Sequence, residues 1–156
     1  MRAYNTAMLV NDDEIVAGER IILSRPANVV IARAEFGLPR FRHDHLLRLV
    51  GFADHEAVGG RLYLTTYRVL FAAHVFNRVT GRFSIPLPAI VDLRDVSRLL
   101  VKQVVIITPE RPFVFVVRRA PALIAAIQAA SADLSSEQAA YLRERVPGGT
   151  SAWTVG

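Results

Sequence analysis

The chain contains no cysteine, and lysine occurs only once, at position 102. Without cysteine, disulfides, thiolate catalysis and cysteine-based zinc sites are excluded, which fits a reducing cytoplasm. No apolar run approaches the roughly 20 residues that span a bilayer, and the first residues lack the long apolar core of a secretory signal. We therefore expect a cytoplasmic protein, with peripheral membrane contact as an additional option.

Motifs that carry catalysis are also missing. The sequence has no Gly-x-Ser-x-Gly, no glycine-rich phosphate loop and no His-Glu-x-x-His. His43-Asp44-His45 looks like a fragment of a metal site, but a structural zinc site needs four protein ligands and a catalytic one three. The acids at Asp12, Asp13, Glu14, Asp92 and Asp95 have no spacing that fixes a carboxylate pair. We predict no enzyme activity, no metal and no cofactor.

The 156 residues carry a formal net charge of +5, and 52% of them are hydrophobic. This hydrophobic fraction is enough for one domain with a proper core. The excess of basic residues favours an anionic partner. The alternative is that a GC-rich, bacterial genome raised the arginine and alanine content through codon bias.

Strand patterns dominate the middle of the chain. Apolar and β-branched residues predict short strands that are separated by turn formers. The segment Gly60–Ala72 alternates most clearly and predicts one central strand. The other predicted strands are 19–24, 29–35, 83–87 and 90–93, followed by a hairpin of 104–108 and 113–117 around the turn Pro109–Pro112.

The period changes to that of a helix after the hairpin. Pro121 suits the first turn of a helix, and Leu123, Ile124, Ile127 and Ala130 share one stripe that should pack on the sheet. Ser135 and Gln138 have the spacing of a capping box and predict a second helix. The domain limits that follow are 1–18 for a partly ordered lead-in, 19–132 for the domain, 133–146 for an extra helix and 147–156 for a flexible tail.

These elements predict a fold that is mainly β (α+β). We expect an antiparallel barrel or sandwich of about six or seven strands, capped by a C-terminal α-helix. Parallel α/β folds are disfavoured because no helix separates the middle strands.

One segment resembles a known family. The residues from Gly60 to Phe71 are similar to the signature strand of GRAM domains, which have a pleckstrin-homology-like (PH-like) fold; the matching residues are Gly60, Leu62, Tyr63, Leu64, Thr65, Arg68 and Phe71. The resemblance covers roughly 27–130 and implies a stand-alone GRAM domain that binds a phosphoinositide, another lipid or a protein, with no catalytic residues. The matched residues look structural, and Arg68 is the one possible exception.

Basic residues near an aromatic side chain form the predicted ligand site. They fall in the long connection before the central strand and around the turn after it, and they are Arg40, Phe41, Arg42, Arg48, Arg78 and Arg82. A basic loop with an exposed aromatic residue suits an anionic bilayer, where each arginine contributes about 1 kcal/mol. The alternative is that these arginines are solvated or paired with nearby acids.

The sequence leaves two functions open. The first is a non-catalytic peripheral adaptor that recognises an anionic lipid or membrane surface. The second is a module for protein–protein interaction or self-association without lipid binding, which would use a strand edge or the C-terminal helices. Nucleic acid is disfavoured because the aromatic residues alternate at core positions instead of forming a stacking surface.

Overall fold

A computed structural model of the chain describes residues 17–32, 55–74, 79–145 and 152–155. These residues form eight strands, two α-helices and the short 3-10 helix Leu87–Ala89. The strands are β1 (Ile21–Ala32), β2 (His55–Thr65), β3 (Arg68–Ala73), β4 (Val79–Pro86), β5 (Asp92–Asp95), β6 (Gln103–Ile107), β7 (Pro112–Val117) and β8 (Ala152–Val155). The helices are α1 (Ala120–Asp133) and α2 (Ser136–Arg145).

All neighbouring strands pair antiparallel, in the order β5-β6-β7-β1-β2-β3-β4-β8. Within the described residues β5 and β8 each pair on one side only, so the sheet does not close. The predicted fold class is confirmed: the protein is mainly β, with an antiparallel sheet and C-terminal helices. Strands β1–β4 and β5–β7 form two meanders that meet where β7 pairs with β1.

The sheet curls around its main cluster of buried hydrophobic side chains. Strands β7 and β4 are four places apart in the strand order, which is about 19 Å in a flat sheet. Nevertheless, the ring centroids of Phe113 on β7 and Phe83 on β4 are 5.1 Å apart. Phe71 and Phe115 complete this aromatic cluster and are buried. The inner faces of both meanders therefore pack against each other.

The predicted central strand Gly60–Ala72 is wrong in one respect, because it is a hairpin of two strands. Strand β2 ends at Thr65 and β3 begins at Arg68, with Leu64 opposite Val69. The Thr65 hydroxyl accepts hydrogen bonds from the backbone amides of Tyr67 and Arg68, at 3.1 and 3.0 Å. A side chain thus forms the turn that glycine or proline would normally mark.

The predicted separation of strands 19–24 and 29–35 is also wrong, since β1 (Ile21–Ala32) continues through Pro26. Pro26 lies opposite Arg61 of β2, whereas pairing with β7 begins only at Ala27. At Pro26, β1 therefore has a paired strand on one side only. The amide hydrogen that proline lacks costs no hydrogen bond on the unpaired side.

The helices follow the sequence patterns closely. On α1 the side chains of Leu123, Ile127 and Ala130 are buried in the core, and Ile124 packs at its margin. The capping box also forms. The backbone amide of Ser135 donates to Gln138 Oε1 at 3.0 Å, and the backbone amide of Gln138 donates to Ser135 Oγ at 3.1 Å. Within the region predicted as a flexible tail, β8 pairs with the edge of β4.

Candidate functional site

A cleft of about 810 Å³ opens between β1, the β5–β6 hairpin and the end of β7. It is called the cationic cleft below. Its lining residues are Arg25, Pro26, Ala27, Asn28, Leu100, Val101, Lys102, Val116, Val117, Arg118 and Arg119. The register explains how distant segments meet here, because Ala27 pairs with Val117, and the Val117 amide donates to the Lys102 carbonyl at 3.0 Å.

Four of the lining side chains are cationic: Arg25, Lys102, Arg118 and Arg119. The last three are exposed, while Arg25 is partly buried. Among the described residues that line the cleft, none is an aspartate or glutamate. Like charges that share a concave surface repel one another and focus a positive potential, so the cleft favours an anion.

Arg25 is held in place by the chain reversal between β7 and α1. Its Nη1 donates to the backbone carbonyls of Arg118 and Arg119, both at 3.1 Å. Arg119 itself has φ 55° and ψ 52°, in the left-handed region. It is the only non-glycine residue in the described ranges with a positive φ. This conformation turns the two carbonyls towards Arg25 and places the positive end of the α1 dipole next to the cleft.

The β5–β6 hairpin ends in a tight turn that we call the hairpin tip, Arg98–Val101. The amides and carbonyls of Arg98 and Val101 bond to each other at 2.8 and 2.7 Å. Between them, Leu99 and Leu100 are each 96% exposed. The tip is therefore a defined turn that holds two leucines out in solvent.

The base of the hairpin is fixed by polar contacts. The backbone amide of Gln103 donates to Ser97 Oγ at 3.0 Å, and the backbone amide of Val96 donates to the backbone carbonyl of Gln103 at 3.1 Å. The Ser97 amide donates to Asp95 Oδ1 at 3.0 Å. Hydrogen bonds from the Ser97 side chain and amide, together with the charge of Lys102, lower the pKa of Asp95.

Of the predicted ligand residues, only Arg82 lies in the part of the chain that the structure describes. Arg40, Phe41, Arg42, Arg48 and Arg78 lie outside the described residues, so their prediction stays untested. Arg82 is exposed on β4, opposite Ala72 and Ala152. It does not line the cationic cleft.

The cationic cleft lies well before the end of β1. Strand β1 ends at Ala32, which pairs with His55. Arg25 lies seven residues earlier on β1, about 23 Å along an extended strand.

Arg68 is structural. Its guanidinium forms a buried ion pair with Glu19, with Nε to Oε1 at 2.9 Å and Nη2 to Oε2 at 3.2 Å. The Thr65 hydroxyl donates to the same Oε1 at 2.6 Å. Thr65 and Arg68 thus link the chain before β1 to the β2–β3 turn.

The described residues contain no group of three or more His, Asp or Glu side chains that could hold a metal ion. In the same part of the chain, no helix is long and apolar enough to cross a membrane.

Comparison with known proteins bears on the fold alone. No family model matches the chain, the GRAM model included, and no curated protein matches it. The C-terminal domain of an unknown protein from Leishmania infantum has a similar structure, with a TM-score of 0.52 and 13% sequence identity over 75% of this chain and 88% of that one. The N-terminal PH domain of Vps36 gives a TM-score of 0.48 and 13% identity, over 76% of this chain and 83% of that one.

Proposed function

We propose that this chain is a non-catalytic, PH-like binding module that docks on an anionic membrane surface through its cationic cleft. The observation that carries the proposal is the meeting of Arg25, Lys102, Arg118 and Arg119 around one open cleft without an acidic lining residue among those described. The GRAM-like residues from Gly60 to Phe71 support the same class of function. No reaction is assigned to the cleft.

The expected strength of this contact follows from the number of charges. Each arginine or lysine near an anionic leaflet contributes about 1 kcal/mol, so the four cations supply roughly 4 kcal/mol. A free energy of that size corresponds to a dissociation constant of about 1 mM. The electrostatic contact is therefore weak and falls as salt screens it. Stable docking requires a second contribution.

Vesicle co-sedimentation tests the proposal. We expect the protein to sediment with phosphatidylcholine vesicles that contain roughly one third phosphatidylserine, less so at high salt, and not with pure phosphatidylcholine. Arg118→Glu should lower the apparent affinity roughly 30-fold, because it removes one attraction and adds one repulsion of about 1 kcal/mol each. Equal binding to neutral vesicles, or no binding to either kind, would contradict the proposal.

A matched control distinguishes the effect of the cationic cleft on binding from the effect of the net charge of the protein. Arg143→Glu makes the same charge change on α2, where the side chain is exposed and away from the cleft. It should leave vesicle binding almost unchanged. If Arg118→Glu and Arg143→Glu weaken binding equally, the effect comes from overall charge and the cleft is not the site.

The loop residues predicted from the sequence are a competing contact. Arg40→Glu combined with Arg42→Glu tests them in the same assay. If this pair abolishes binding while Arg118→Glu has no effect, the anionic surface is bound through the β1–β2 connection and the cationic cleft is not the docking site. The cleft predicts the reverse result.

A further inference from the structure

Leu99 and Leu100 have no structural reason to be leucine. Each is 96% exposed, so neither contributes to the core. Nor do they serve the turn, because tight hairpin turns favour residues that adopt positive φ, such as Asn-Gly, and neither leucine has a positive φ. Two large apolar side chains at the end of a fixed hairpin favour contact with an apolar partner.

The surroundings of the leucines narrow the kind of partner. Arg98 and Lys102 flank the pair in sequence and are exposed, and the cationic cleft adds three arginines on the same side of the hairpin. A partner must therefore be apolar where the leucines enter and negative around them. The hydrocarbon edge and the headgroups of an anionic bilayer have this arrangement. A second copy of this chain is disfavoured, because a symmetric contact would bring the same cations face to face.

We propose that Leu99 and Leu100 insert into the hydrocarbon edge of an anionic bilayer, with Arg98 and Lys102 at the level of the headgroups. This inference rests on the proposed function and supplies the second contribution that the charges lack. Burying a leucine side chain is worth about 1.5–3 kcal/mol, which is roughly tenfold or more in affinity for each leucine. The long stems of Arg98 and Lys102 allow their charged groups to stay in the polar layer while the leucines enter.

Site-specific labelling tests the insertion directly, since the chain has no cysteine of its own. Leu100→Cys is labelled with an environment-sensitive nitrobenzoxadiazole fluorophore and titrated with the phosphatidylserine-containing vesicles. We expect a blue shift and increased emission. Glu110→Cys provides the control, because Glu110 is exposed on the β6–β7 turn, at the other end of β6 from the tip. Its label should remain in a water-like environment.

The outcomes distinguish this inference from the function it rests on. If the labelled protein sediments with anionic vesicles but the probe at position 100 reports water, insertion is wrong and surface docking stands. If the protein does not sediment with them, both proposals fail. A probe that moves into hydrocarbon at position 100 and not at position 110 supports insertion.

A second pair of variants measures the contribution of the leucines. Leu99→Ser combined with Leu100→Ser should weaken binding to anionic vesicles about 100-fold without loss of thermal stability, because both side chains are exposed in the folded protein. Val91→Ser is the matched control at a 65% exposed apolar residue outside the tip, and it should bind like the parent. Unchanged binding of the double variant would overturn the inference.

A second copy of this chain is the remaining candidate partner of the hairpin tip. Sedimentation velocity without vesicles detects such self-association. We expect the parent chain and the double variant to sediment alike. A dimer of the parent that dissociates in the double variant would show that the leucines contact a second copy, and the insertion proposal would be wrong.

Discussion

Glu19 and Arg68 form a two-point ion pair that is almost completely removed from solvent. The Nε–Oε1 and Nη2–Oε2 distances are 2.9 and 3.2 Å, and the side chains are 1% and 10% exposed. A buried pair of this kind costs desolvation when it forms, and breaking it leaves a buried charge without its counter-charge. The ion pair therefore holds the chain before β1 against the β2–β3 turn.

We expect Glu19→Gln to lower the free energy of unfolding by about 3 kcal/mol, because the buried guanidinium of Arg68 loses its ion pair with the Glu19 carboxylate. Urea denaturation of the parent and the variant measures the difference. Asp92→Asn is the control, since it breaks the Arg94–Asp92 pair, which has a similar distance of 2.8 Å but is about half exposed. It should cause no measurable change. Similar stabilities for Glu19→Gln and the parent would contradict this account.

Gly60 is required because two strands approach closely at its Cα. A methyl group at this position would come within 2.2 Å of the Ala72 carbonyl oxygen and 2.9 Å of the Ala73 Cα, both backbone atoms that cannot move alone. We expect Gly60→Ala to destabilise the protein by about 3 kcal/mol, as overpacking does in a core. Thermal unfolding followed by circular dichroism measures this loss.

Gly59, the neighbour of Gly60, provides the comparison. At Gly59 the nearest atoms to an added methyl group belong to the side chains of Asn28 and His74, at 3.2 and 3.7 Å. Side chains can adjust, so Gly59→Ala should be tolerated. If both substitutions cost the same, the close approach of β2 and β3 does not explain the glycine at position 60.

Local patterns were readable from the sequence. The capping box of Ser135 and Gln138 involves residues three positions apart, so one turn of helix fixes its geometry. The hairpin of β6 and β7 was also predicted, since strong strands flank a short proline-containing turn. In such elements the residues that form the structure are close together in the chain.

Contacts between residues far apart in the chain could not be predicted from the sequence. The β2–β3 turn has no glycine or proline, because the Thr65 hydroxyl forms it, and that hydroxyl bonds to Glu19, 46 residues away. The cationic cleft depends on Arg25 reaching carbonyls 93 and 94 residues further on. The hairpin tip did leave one signal, a pair of leucines between Arg98 and Lys102. Its importance depends on exposure, which the sequence pattern does not give.

Tyr63 makes stability depend on pH in the alkaline range. Burial raises its pKa above the ordinary value of 10.0, against the opposing charges of Arg61 and Arg82. The unfolded chain therefore releases this proton at a lower pH than the folded protein does, and stability falls as the pH rises above 10. We expect Tyr63→Phe to lose less stability than the parent between pH 9 and about pH 11 in urea denaturation.

Two outcomes would contradict this prediction. A parent protein whose stability is flat across this range, or a Tyr63→Phe variant with an unchanged decline, would show that ionisation of Tyr63 is not coupled to folding.

Arg119 connects stability to the proposed function. Its left-handed conformation, φ 55° and ψ 52°, costs an L-residue about 1–2 kcal/mol, whereas glycine adopts it freely. We expect Arg119→Gly to raise the free energy of unfolding by about 1 kcal/mol and to weaken binding to phosphatidylserine-containing vesicles several-fold, since one cation of the cleft is lost. Arg119→Ala removes the same charge but cannot relieve the backbone, so it should bind as weakly as Arg119→Gly without becoming more stable. Denaturation and vesicle co-sedimentation of the three proteins separate the two effects. If Arg119→Gly is more stable and binds as well as the parent, this arginine is strained for a reason other than docking on an anionic surface.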